Sequence, residues 1–131
     1  MKLSVSKEGT FIPEFNGNKK EPATDQVCVR YRYPTLAMKN RCRSKPQAKG
    51  IAGPDGKMDK MEIIIDKEEL ATLKEMLISI SNCSYGEGSE ETKIITAQNL
   101  IEAPVVFEPL FKEIVKEFDR ILDEAVINEK N

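Results

Sequence analysis

The chain contains no histidine and no tryptophan. Losing histidine removes the commonest general base, the Ser–His and Cys–His nucleophile pairs and the commonest transition-metal ligand. Cysteine is scarce as well. Cys28, Cys42 and Cys83 are an odd count at wide spacing, without the two close pairs that a zinc site wants. The same spacing argues against a disulfide framework and for a reducing cytosol. No G-x-x-x-x-G-K-[ST] phosphate loop occurs, and no G-x-G-x-x-G follows a strand. Gly50 to Gly56 looks glycine-rich, but its Gly53-Pro54-Asp55-Gly56 core is a turn signal. No stretch approaches the roughly 18 apolar residues of a membrane span. Met1 to Ser6 lacks the apolar core of a signal peptide. These absences point to a cytoplasmic protein with no catalytic residues, no cofactor, no metal and no membrane partner.

Charge is what the chain has in quantity. Asp, Glu, Lys and Arg make up 32% of its 131 residues, and a net charge of −2 hides an asymmetry. Residues 30–60 carry nine Lys or Arg against two Asp, net +7. Residues 61–131 carry seven basic and sixteen acidic residues, net −9. A basic middle and an acidic end can attract each other, or each can face a different partner. The length fits one domain, spanning 1–131.

The strongest periodic signal lies near the end. From Pro109 onward, Leu110, Phe111, Ile114, Val115, Phe118, Ile121, Leu122, Ala125 and Val126 recur at helical spacing, with charged residues filling the other face. That is an amphipathic helix with one buried stripe, and Pro109 suits its first turn. Upstream, Leu3 and Val5 alternate with polar residues, Lys7-Glu8-Gly9 reads as a turn, and Thr10-Phe11-Ile12 is strand-prone. This predicts an N-terminal hairpin. Gln26 to Tyr33 alternates strictly, predicting a half-buried strand that Pro34 ends. Residues 35–59 show no sustained period and read as a long mobile loop. Met61 to Ile65 reads as a strand. Asp66 and Glu69 form a capping box for a helix whose apolar face is Leu70, Leu73, Met76, Leu77 and Ile80. Acid–base chemistry by the Asp66 and Glu69 pair is the rarer alternative. Residues 84–91 read as a flexible loop, and Thr96 caps a short helix through Leu100 and Ile101 that Ala103-Pro104 breaks. Strands early and helices late predict an α+β fold. The expected architecture is a small antiparallel sheet, built of the hairpin and strands near 26–33 and 61–65, with two to three helices packed on it.

Two surfaces are candidates for function. Val105, Val106 and Phe107 precede the long helix without obvious polar partners. Phe107, Phe111, Ile114, Val115, Phe118 and Leu122 form a stripe that either is core or binds a protein, whether a helical client or a second copy in a homo-oligomer. Arg30, Arg32, Arg41, Arg43 and Lys45, in the basic 30–49 segment, are candidates for anion or nucleic-acid contact, with a solvated basic surface as the plainer reading. No aromatics after Tyr33 offer a stacking platform there.

The layout resembles the small tail assembly chaperones of tailed bacteriophages and prophages. The resembling stretches are Thr10-Phe11-Ile12-Pro13, Val29-Arg30-Tyr31-Arg32-Tyr33-Pro34-Thr35, and Leu100-Ile101-Glu102-Ala103-Pro104 to Leu110-Phe111-Lys112-Glu113-Ile114. The resemblance implies a non-enzymatic protein of the host cytoplasm that binds the tape-measure protein until tail tube subunits replace it. It also implies self-association, and a frequent longer form made by a programmed frameshift near the C-terminus.

Overall fold

The computed structural model describes residues 1–4, 6–42 and 68–130, the last six as backbone. The fold is α+β. Three antiparallel strands form the main sheet: β1 (Glu8–Phe11), β2 (Cys28–Arg32) and β3 (Leu77–Ser81), in the order β1-β2-β3. Helix α1 (Leu36–Cys42) follows β2, and α2 occupies residues 68–76. A two-stranded hairpin, β4 (Ser84–Tyr85) with β5 (Thr92–Lys93), follows the sheet. Then come α3 (Ala97–Ile101), a 3₁₀ turn (Val105–Phe107) and the long α4 (Glu108–Lys130).

The alternation read in Gln26 to Tyr33 is realised in β2. Val29 is fully buried and Tyr31 half-buried on one face, while Arg30 and Arg32 are exposed on the other. Tyr31 meets Phe118 of α4 with ring centroids 5.6 Å apart, which seats the long helix on the apolar side of the sheet. Leu110, Ile114, Val115, Phe118, Ile121 and Leu122 are all buried there, together with Leu73, Met76, Ile80 and Ile94. Glu108 opens α4, where a carboxylate is favoured by the helix dipole.

The N-terminal hairpin does not form as expected. Among the described residues before Glu8 there is no strand, and β1 pairs with β2, placing Gly9 opposite Tyr31. Gly9 sits inside this strand because the Tyr31 ring lies over it. A Cβ at Gly9 would fall 2.4 Å from the tyrosine oxygen. The chain between β1 and β2 is pinned by Asn18, a buried side chain. Its Nδ2 donates to Pro13 O at 2.9 Å and Val27 O at 3.0 Å, and its Oδ1 accepts from Val27 N at 2.6 Å.

Three further expectations are corrected. The helix expected to run to Ile80 stops at Met76, and the chain enters β3 with no intervening loop. Leu73, Met76, Leu77 and Ile80 satisfy helical spacing, but pairing with β2 over Leu77–Ser81 prevails. The irregular segment expected from residue 35 begins instead with α1. Its first turn is capped by the Thr35 hydroxyl, which accepts from Met38 N at 3.1 Å. The loop expected at 84–91 is framed by β4 and β5, where Gly86 is required. Its φ is +153°, and a Cβ there would lie 2.1 Å from Glu90 O. By contrast the cap at Thr96 is present in full. Its hydroxyl accepts from Asn99 N, and the Asn99 side chain accepts from Thr96 N, both at 3.1 Å. The expected strand at 61–65, the capping role of Asp66 and the rest of the 35–59 segment lie outside the described residues.

Candidate protein-binding surface

The apolar stripe divides at Phe111. Ile114, Val115, Phe118 and Leu122, named from the sequence as a protein-binding face, lie inside the domain's own core. They are buried in the core and offer no surface to a partner. Phe107 and Phe111 are half-buried at its margin. Two adjacent exposed valines lie one step earlier in the chain, Val105 81% and Val106 65% exposed, while Met1, Leu3, Leu36 and Ile95 are exposed apolar residues elsewhere.

Local geometry explains why the valines face outward. Glu102 caps α3, Pro104 opens the 3₁₀ turn with extended backbone, and Phe107 N donates to Pro104 O at 3.0 Å. Phe107 is held between two rings, Phe15 and Tyr85, each with a centroid 5.8 Å away. With Phe107 anchored inward, a tight turn leaves its two predecessors no core to reach. Val105 and Val106 therefore stand on a ridge.

A hollow lies on each side of that ridge. One, of about 310 Å³, is lined by Leu70 of α2, Ile101 of α3, Val105, Phe107 and Phe111. The other, of about 810 Å³, is lined by Phe15, Tyr85, Val106 and Phe107 together with polar loop residues. Phe107 lines both. Among the described residues, the charged ones lining the hollows are carboxylates: Glu108 in the first, Glu21 and Asp25 in the second. Beyond Phe111, Lys112 Nζ donates to Glu69 Oε1 at 2.8 Å. Leu70, Phe15, Ile101 and Tyr85 were not singled out as site residues from sequence. Phe15 and Tyr85 each carry a signal in the sequence, as isolated aromatics beside or within a polar loop.

Three of the basic candidates make bonds within the fold. Arg30 Nη2 donates to Glu8 Oε1 at 2.8 Å. Arg32 Nη1 donates to Leu77 O at 3.3 Å. Arg41 grips Glu75 through two bonds, at 2.9 and 2.8 Å. These bonds hold the Glu75 carboxyl below the usual carboxylate range and raise the Arg41 guanidinium. Arg32 also reaches the Glu75 backbone carbonyl at 3.5 Å, so Arg32 and Arg41 meet at Glu75 while Arg30 pairs separately with Glu8. Arg43 and Lys45 lie outside the described residues.

Among the described residues no group of three or more potential metal ligands converges. Burial pushes the Cys83 thiol up, which disfavours the nucleophilic thiolate. No helix among the described residues is long and apolar enough to cross a membrane. No family model, no curated protein and no solved structure matches the chain.

Proposed function

We propose that this protein is a non-enzymatic binding module that holds an apolar segment of another protein on the Val105–Phe107 ridge and in its flanking hollows. The observation that carries the reading is the exposure of two adjacent valines on an anchored turn between two partly apolar concavities. Such surface is costly to leave in water and typical of protein interaction sites. The resemblance to phage tail assembly chaperones gives the reading its concrete form, in which the client is the long helical tape-measure protein. The same surface is the place where self-association would occur.

Co-expression with a tape-measure protein tests it. The wild-type chain is expected to co-elute with that protein and keep it soluble. The double variant Val105→Asp/Val106→Asp is expected to fold normally and lose the client. A wild-type chain that leaves the tape-measure protein insoluble removes the chaperone reading. A double variant that still holds it places the binding site elsewhere. Light scattering over a concentration series then separates client binding from self-association, because a dimer at this surface would dissociate in the same variant.

A further inference from the structure

The binding reading leaves open what chemistry the partner presents, and the charge around the ridge bears on that. Both hollows combine apolar and aromatic walls with carboxylates. Glu108 lines one, Glu21 and Asp25 line the other, and among the described residues no lysine or arginine lines either. Glu21, Asp25 and Glu108 are exposed at their respective hollows. An acidic apolar partner would meet like charge at each hollow, and like-charge juxtaposition costs affinity and slows encounter. A partner with apolar side chains flanked by lysine or arginine would meet complementary charge at the rim and apolar surface at the centre.

We propose that the ridge and its two hollows select a cationic amphipathic segment, with apolar residues seated beside Val105 and Val106 and basic residues facing Glu108, Glu21 and Asp25. This rests on the protein-binding reading above and specifies its partner. Val105 and Val106 supply contact area, and the carboxylates supply choice of partner and a salt-sensitive association rate.

Two synthetic helical peptides of about 15 residues test it, long enough to hold helix on a surface. They share one leucine face, and one carries lysine where the other carries glutamate. Binding to the intact chain is measured by calorimetry or fluorescence anisotropy at low and high salt. The Leu/Lys peptide is expected to bind at least about tenfold more tightly than the Leu/Glu peptide. The variant Glu21→Gln/Asp25→Asn/Glu108→Gln is expected to bring the two affinities together. Val105→Asp/Val106→Asp should abolish Leu/Lys binding although it adds negative charge. General attraction to an acidic protein would move the opposite way, so retained or stronger binding in that variant overturns the proposal. Equal binding of both peptides to the wild type overturns charge selection while leaving the apolar docking site standing. If neither peptide binds, the proposal fails, and the tape-measure experiment decides the docking site separately. A wild-type dimer that Val105→Asp/Val106→Asp dissociates makes a second copy the occupant and also overturns it. Each variant is compared with wild type by thermal unfolding, so lost binding is not mistaken for lost structure.

Discussion

The Val105–Phe107 turn and the Leu110 to Leu122 face of α4 are neighbours in one apolar run, and they have opposite fates. On α4 side chains at every third or fourth position are buried in the core, and Phe118 meets Tyr31 of the sheet. In the turn just before that helix the burial gives out. Only Phe107 finds aromatic partners, and the valines remain in water. Hydrophobic content alone therefore does not separate buried from exposed side chains in a small domain. Which residue of a tight turn is anchored decides it here.

Substitutions can break this contrast, and their effects on stability should fall in a definite order. Phe118→Ala removes a fully buried ring and should cost about 3–5 kcal/mol in urea unfolding. Phe118→Asp should leave no folded monomer. Asn18→Ala should cost about 1–3 kcal/mol, because two carbonyls and one N–H lose their partner in the protein interior. Glu75→Gln should have a smaller effect, visible mainly as altered pH dependence. Because Arg41 depresses the folded-state pKa of Glu75, the contribution is present above the ordinary carboxylate value and is lost as pH falls through the lower folded value. Wild type should lose that increment in acid unfolding curves, and the variant should lack it. Val105→Asp/Val106→Asp should change stability least, within about 0.5 kcal/mol, while removing client binding. A large loss of stability there would make the ridge part of the core and erase the contrast.

Parts of this arrangement were readable before any coordinates. The strict alternation of Val27, Val29, Tyr31 and Tyr33 announces β2, the Thr96 cap announces α3, and the stripe from Leu110 to Leu122 announces α4. Each is a local pattern that tertiary structure reinforces. Leu77 to Ser81 is different. Its apolar residues suit a helix face and a strand equally well, and only the free edge of β2, 45 or more residues earlier in the chain, decides between them. Leu3 has the alternation of a strand with Val5 in the sequence, yet Leu3 lies in no strand, and β1 pairs with β2 instead. The division of the 107–122 stripe was unreadable for a related reason. Periodicity marks which side of a helix is apolar, not how far along it the covering layer extends.

The junction between α2 and β3 has a mechanical consequence. With no loop at Met76-Leu77, the helix and the strand form one continuous lever. Leu70, near the start of α2, lines the smaller hollow, while Ile80, near the end of β3, bonds through its N–H to Ile95 O at 2.8 Å. A partner seated against Leu70 would therefore bear on backbone that runs without a loop into β3, and amide exchange at Ile80 measured with and without that partner would show whether the strand responds.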